Sequence, residues 1–497
     1  MFFAVRRSRL RALAAVVGRR LLIGATLVTA VAAAVGIWLA IAPPFVPAFL
    51  LFVTLFNLVI GGTEARWRLY GWRSPAAGAE IAWPDPVKPG TEKLSFDLII
   101  PLRDEAGVIG DTLRGLLRQT HPRLHIVVSL CDDDEPTIEA VRTIVRENLL
   151  SNRITIITDH YVNPNKAKQL NRALEVCLGD VVGVIDAEDD VAEDLLVHTE
   201  ALLTRSGADV VQGGVQLMNL GSGLSKWFQV HNVLEYFFWF TSRMAFHAST
   251  GFVPLGGNTV FIRRELLERA GGWPQSITED CALGVKLSTE FGAKVATAYS
   301  PRLSTREEAP PSIFNKEVGS LFWQRDRWVR GFLEEFLSGR WLKMPTRRQQ
   351  LLAGYILATP ILQALSFVLL PTAIVVGITR SAPVGLALLM FTPYIPMGLT
   401  TATQVIGLHD FCQKYDKRAS PWHYASLVCL GQLYQMVISG AAAVAVYKYA
   451  TGDNTWYKTG RLAEHRAALA SVEPPPSEAR SEARSAVPGT GLEGAAA

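Results

Sequence analysis

The sequence predicts an α/β domain with a parallel sheet, carried between membrane-spanning α-helices. Three observations predict it. Apolar residues are concentrated in the first 60 positions and in 350–447. Between them, short apolar runs alternate with amphipathic stretches at the spacing of strand–helix–strand units. Carboxylates follow two of those runs directly, where ligands of such sheets bind, off the carboxyl ends of the strands.

Composition narrows the function classes. With 497 residues the chain has room for one large domain plus spans. A net charge of +4 does not suggest a nucleic-acid partner. The five cysteines (Cys131, Cys177, Cys281, Cys412 and Cys429) have no CxxC spacing, so neither a zinc site nor a disulfide framework is implied. Free thiols fit a catalytic domain in the cytoplasm.

Residues 1–20 carry six arginines and no acid, and read as a basic cytoplasmic N-terminus. Residues 21–42 are apolar and, at ~1.5 Å per residue, long enough for a ~30 Å hydrocarbon core. A signal peptide fits less well, because a second apolar run follows at once. Pro43-Pro44 makes the turn, the return span ends near residue 62, and residues 63–94 read as a linker. Arg66, Arg68 and Arg73 after the hairpin match the arginines before it, which puts both ends on the cytoplasmic side.

The domain of residues 95–345 opens with the strand 96–102, followed by strands at 124–131, 153–159 and 180–186, with helices between them. Asp133 and Asp134 follow the second strand; Asp186 and Glu188 follow the fourth. Asp190, Glu193 and Asp194 are explained by a helix start, where acids complement the dipole. Asp186 and Glu188 are not, because unpaired carboxylates at a strand mouth repel unless a cation sits between them. Oxygen ligands suit Mg²⁺ or Mn²⁺, which also bridge diphosphates. Lys166 and Lys168 start a helix, where most lysines are simply solvated.

Residues 210–219 read as a further strand. The aromatic stretch 223–246 has two readings, a core helix or an amphipathic helix at the bilayer surface. Gly256-Gly257-Asn258 is a turn at which backbone can approach a ligand closely. Thr278-Glu279-Asp280 stands at the start of a helix. Gln324, Arg327 and Trp328 in Gln324-Arg325-Asp326-Arg327-Trp328 fall at i, i+3 and i+4 and share one face. An amide, a guanidinium and an indole there suit a sugar ring and a diphosphate, and a carboxylate nearby could take a hydroxyl proton.

Three long apolar runs fill 346–447. One span each gives five in all and a C-terminus outside, whereas Lys448, Lys458, Arg461 and Arg466 favour inside. Pro360, Pro371, Pro393 and Pro396 allow a broken or re-entrant segment. The tail 448–497 is Pro-, Ala-, Ser- and Glu-rich from about 471 and reads as disordered.

The TED and QRDRW motifs together resemble the inverting glycosyltransferases of family 2, in the branch of cellulose, chitin and hyaluronan synthases. The resemblance spans roughly 95–335 and implies a GT-A (Rossmann-like) fold. On matching positions it implies that Asp133, Asp134, Lys166, Lys168 and Asp186 contact the nucleotide donor, and that Asp186 and Glu188 hold the metal. It further implies Asp280 as catalytic base beside Glu279, and Gly257, Asn258, Gln324, Arg327 and Trp328 at the acceptor and diphosphate. The metal motif ends in Glu188 where Asp is usual, one methylene longer. No FxVTxK loop follows Trp328, and Arg302 and Arg306 form an RxxxR spacing without a DxSxxG after it.

The function these readings imply is a multi-pass enzyme of the inner (plasma) membrane with a cytoplasmic catalytic domain. It would move a sugar from a UDP-linked donor to a growing β-linked polysaccharide, with the spans as an exit path and accessory export proteins as partners. The alternative is a non-processive transferase that glycosylates a lipid. A transporter with a nucleotide-binding domain leaves Asp280 and Trp328 unexplained.

Overall fold

A computed structural model of the chain describes residues 45–73, 86–147, 151–297, 299–380 and 383–453. The basic segment 1–20, the first expected span at 21–42 and the tail from 454 lie outside the described residues. Helix α1 (Val46–Arg73) runs through the first third of the expected linker. Nothing in Thr63–Arg73 breaks a helix, and packing holds it: Glu64 pairs with Arg68 one turn on, at 3.0 Å, and Trp67 is buried.

The domain is built from β1 (Phe96–Leu102), α2 (Ile109–Leu117), β2 (Leu124–Cys131), α3 (Glu135–Glu147), β3 (Ile154–Asp159), α4 (Lys166–Leu174), β4 (Val181–Val184) and α5 (Leu195–Ser206). Strands β5 (Val210–Gln212) and β6 (Gly214–Leu217) precede α6 (Trp227–Phe238), α7 (Met244–Thr250), β7 (Val260–Arg263) and α8 (Arg264–Arg269). The remaining elements of the domain are α9 (Glu279–Glu290), β8 (Val295–Thr297), β9 (Ser304–Glu307) and α10 (Leu321–Leu337). The main sheet has the order β3-β2-β1-β4-β7-β5-β8. Strands β1 to β4 are parallel; β1, β2 and β4 are buried along nearly their whole length, as strands covered on both faces are, whereas β3 at the sheet edge mixes Ile with Thr and is only partly buried.

The sheet is mixed beyond β4. Strand β7 runs antiparallel to both β4 and β5, because the loop before it delivers the chain at the carboxyl end of β4, where Thr259 N donates to Val184 O. The single strand expected at 210–219 is two. Gly213 separates them with its backbone against Leu303 O, and β6 leaves to pair in parallel with β9. Asp190, Glu193 and Asp194 do not work as a helix dipole cluster. They reach across to Arg306, Arg118 and Arg302 respectively, which also gives the two arginines of the RxxxR spacing a structural partner each.

The aromatic stretch is a core helix. In α6, Phe228, Val230, Val233, Leu234 and Phe237 are buried. It is followed by one turn of π-helix, Trp239–Arg243, in which Arg243 lies between the rings of Trp67 and Trp239 at 4.3 and 4.8 Å. A Cβ at Gly71 of α1 would overlap Ser242 of this turn, so α1 and the π-turn meet backbone to backbone.

Helices α11 (Arg347–Thr379), α12 (Val384–Leu389), α13 (Tyr394–Lys414), α14 (Pro421–Cys429) and α15 (Gly431–Ala450) complete the described chain. Among the described residues, three segments are long and apolar enough to cross a membrane: Val46–Gly71, Arg347–Thr379 and Val384–Lys414. The pair α14–α15, bent by 60°, makes a fourth if counted as one. Helix α15 ends against the domain: Lys448 Nζ donates to Asp326 of α10 at 2.7 Å, and both side chains are buried.

Candidate active site

A cleft of about 910 Å³ opens at the carboxyl end of the parallel strands. Its lining includes Lys166, Asp186, Glu188, Gly257, Asn258, Glu279, Asp280, Gln324, Arg327 and Trp328. The folded chain thus gathers residues spread over more than 160 positions around one space.

Each is there for a local reason. Asp186 and Glu188 follow β4, so the sheet sets their height. Asn165 caps α4 by accepting from Lys168 N, which starts the helix with Lys166 pointing inward. Lys166 Nζ donates to Asp186 Oδ1 at 2.5 Å and to Gly257 O at 2.8 Å. A Cβ on Gly257 would lie 3.0 Å from Asp280 Oδ2 and 3.4 Å from Lys166 Nζ, so a side chain there would press on both groups. The loop ends in Thr259 at φ +50°, a conformation β-branched residues rarely adopt. It is held by Thr305, hydroxyl to hydroxyl at 2.7 Å.

Glu279 and Asp280 open α9. Asp280 Oδ1 accepts from Cys281 N at 2.7 Å, which leaves Oδ2 toward Gly257. Burial pushes the Glu279 carboxyl up to about 7, and the neighbouring Asp280 charge adds to it against the pull of Lys166 and Arg327. Burial also raises Asp280, opposed by the Cys281 hydrogen bond, Lys166 and Arg327. Burial thus pushes both carboxyls toward their protonated forms, and two like charges side by side oppose ionising together. Between the ordinary glutamate range and about 7 the folded state binds a proton that the unfolded state has lost. Stability from this group is present below that window and is lost as pH rises through it. Replacing Glu279 by Gln removes the loss, so the Tm of Glu279→Gln relative to wild type should rise from pH 5 to pH 8. A flat difference across a thermal-melt series would contradict the buried, raised carboxyl.

The opposite wall is α10. Ser320 caps it, and Gly331, one turn beyond Trp328, lets it close on the TED turn; a Cβ there would overlap Thr278. Gln324 is buried, and its Oε1 has no hydrogen-bond partner among the described residues. Arg327 and Trp328 are half-buried at the cleft. The wall continues into apolar helices: Thr359, Pro360 and Gln363 of α11 and Ile438 and Tyr449 of α15 also line the space.

Three expected residues, Asp133, Asp134 and Lys168, lie off the cleft lining, and a fourth, Asn258, reaches it with its amide engaged elsewhere. Asp133 grips Arg103, a lining residue, with both oxygens at 3.0–3.1 Å. Asp134 is buried and accepts from Asp104 N, which stands at φ +55°. Lys168 turns away and donates to the carbonyls of Val162 and Asn163. Asn258 reaches the lining, but its amide nitrogen is shared between the buried carboxylates of Asp189 and Glu307 at 2.7–3.1 Å. Asp189 in turn accepts from Asp186 N at 2.8 Å, and so fixes the Asp186 backbone.

Sequence reasoning missed Arg103, Glu235, Tyr236, Trp239, Arg243 and Arg325 in the lining. The signal for the aromatic ones was the density of 223–246. Nothing local marked Glu235 or Arg103.

Residues 94–331 match the family model described as "Glycosyltransferase like family 2". Curated relatives include the beta-monoglucosyldiacylglycerol synthase of Trichormus variabilis, 24% identical over 246 residues, which are 48% of this chain and 49% of that one. The beta-monoglucosyldiacylglycerol synthase of Synechocystis is 25% identical over 261 residues, 49% of each chain. The chain thus spans about half the length of these relatives. Among solved structures, the mannosyltransferase PcManGT from Pyrobaculum calidifontis, in complex with GDP-Man and Mn²⁺, aligns with a TM-score of 0.53 at 17% identity. That alignment covers 81% of this chain and 99% of PcManGT. It establishes a shared GT-A fold.

Proposed function

We propose, from the glycosyltransferase family 2 domain that residues 94–331 carry, that the chain transfers a sugar from a UDP-linked donor to the hydroxyl of a lipid. The observation that carries this reading is the composition of the cleft wall. Two apolar helices, α11 and α15, contribute to the same lining as the carboxylates, so an acceptor can arrive from the bilayer with its hydroxyl first. The relatives named for a glucosylated diacylglycerol support the same acceptor class.

In this reading Asp280 accepts the acceptor proton through Oδ2 while its oxygen attacks the anomeric carbon from the face opposite the diphosphate, and the configuration inverts. Glu279, protonated, keeps a second charge away from the base. Arg327 lies close enough to act on both carboxyls and balances the departing diphosphate. Gln324 Oε1, buried without a partner, accepts from a sugar hydroxyl. Asp186 and Glu188 fit a divalent cation: the lining offers two carboxylates, and Mg²⁺ or Mn²⁺ takes one or two from protein and the rest from phosphates and water. Bound there, such a cation neutralises leaving-group charge. The catalytic face is cytoplasmic, where UDP-sugars are made.

The paired TED and QRDRW motifs favour a second reading, a growing polysaccharide. Product size separates the two. Purified protein with labelled UDP-sugars, Mn²⁺ and membrane lipid extract should give a single-sugar product that partitions into organic solvent. A water-soluble ladder or high polymer would overturn the lipid reading.

A further inference from the structure

Trp328 is held by a charge that the reaction does not use. Arg325, one turn before it on α10, places its guanidinium 4.4 Å from the centre of the Trp328 ring. The Arg325 side chain is 9% exposed, and its Nη2 donates to Glu235 Oε2 of α6 at 3.0 Å. The same Glu235 oxygen accepts from the Tyr434 hydroxyl of α15 at 2.5 Å. Tyr434 is buried and stacks on His231 of α6, ring centres 5.1 Å apart at 14°. The Tyr236 ring lies beside the indole, centres 6.1 Å apart and tilted by 49°.

Three elements therefore converge on one indole: the catalytic helix α10, the aromatic helix α6 and the apolar helix α15. A buried guanidinium needs its anion, because removing one partner leaves an uncompensated charge. The planar guanidinium also fits a ring face in a way that a lysine ammonium does not. Glu235 fixes the guanidinium, the guanidinium fixes the ring, and Tyr434 fixes Glu235 from a helix that is packed along α10.

We propose that Glu235, Arg325 and Tyr434 are positioning residues that set the Trp328 indole as the acceptor platform, and that α15 controls acceptor binding through the Tyr434 hydroxyl. The proposal rests on the reading of Trp328 as an acceptor surface. If the network is only a brace between helices, its loss lowers stability and leaves acceptor affinity alone. If it positions Trp328, acceptor KM moves and donor affinity does not.

The test uses the full chain in detergent with Mn²⁺, UDP-glucose and dioleoylglycerol added to a membrane lipid extract. Glu235→Gln keeps shape and loses the charge; Tyr434→Phe loses only the hydroxyl. Glu235→Gln should raise acceptor KM on the order of 10-fold, the range of a desolvated cation–π contact, with UDP affinity within about 2-fold of wild type. Tyr434→Phe should move acceptor KM the same way and less. Arg325→Lys should fail to restore it, although the charge is kept. Trp328→Ala sets the scale. If Trp328→Ala raises acceptor KM and Glu235→Gln changes only the melting temperature, the positioning role is wrong and the platform stands. If Trp328→Ala leaves acceptor KM unchanged, or the wild type transfers nothing to lipid, the platform fails and this inference falls with it.

Discussion

Asp280→Asn should retain UDP binding within about 2-fold and lose transfer by at least ~10²-fold, the loss that follows removal of a general base. Asn matches Asp in size and keeps the contact that Oδ1 makes with Cys281 N. It cannot take a proton. The competing explanation is that Asp280 only secures the first turn of α9. Asn does that about as well as Asp, so that explanation expects a nearly silent substitution. Initial rates and UDP affinity, measured on the same preparation, decide between them. Near-wild-type turnover would remove the base from the mechanism. The position of Oδ2 makes the result informative. It lies toward Gly257, away from the Cys281 N that Oδ1 engages, so the structural contact and the proposed base are on separate oxygens.

The parallel half of the sheet was legible because β1, β2 and β4 are runs of Val, Ile and Leu with helices of the right length between them. The antiparallel β7 was not, because its direction depends on where the 251–259 loop returns, which no local pattern encodes. At the site, Asp186 and Glu188 were expected from their place at a strand mouth and Glu279 and Asp280 from the TED motif, and the fold brings all four to the cleft lining. Asp134, Lys168 and Asn258 were harder. All three sit beside ligand-facing residues in sequence and spend their polar atoms on backbone or on other side chains. A side chain's partner is a tertiary fact. The same limit hid Glu235, which looks like an ordinary helix glutamate until Arg325 and Tyr434 arrive from distant segments. The helix at 63–73 was read as part of a linker, yet Trp67 is buried and Glu64 pairs with Arg68.

Asp186→Ala should reduce transfer by at least ~10²–10³-fold, comparable to losing a principal electrostatic stabiliser of the leaving group, and EDTA should do the same to the wild-type protein. The reasoning starts from Lys166. Its ammonium contacts Asp186 at 2.5 Å, and although burial lowers its affinity for a proton, Asp186, Glu279 and Asp280 together raise it further. Lys166 is therefore a fixed positive charge that already balances part of the acidic cluster. Removing Asp186 does not simply delete a ligand; it turns Lys166 toward Glu279 and Asp280, where it would hold the base in its ionised, hydrogen-bonded form and weaken it. Glu188→Ala lacks that second effect, so its loss should be smaller, and Glu188→Asp should keep partial activity because the charge survives and only reach is lost. Binding separates the two contributions. Mn²⁺ affinity in the presence of UDP, followed by electron paramagnetic resonance, should fall in both alanine variants, whereas the excess loss of turnover in Asp186→Ala should be relieved by Lys166→Met in the double variant. Full wild-type activity in EDTA, or unchanged Mn²⁺ binding in Asp186→Ala, would remove the cation from this cleft and leave Lys166 and the lining arginines, Arg327 among them, to meet the diphosphate.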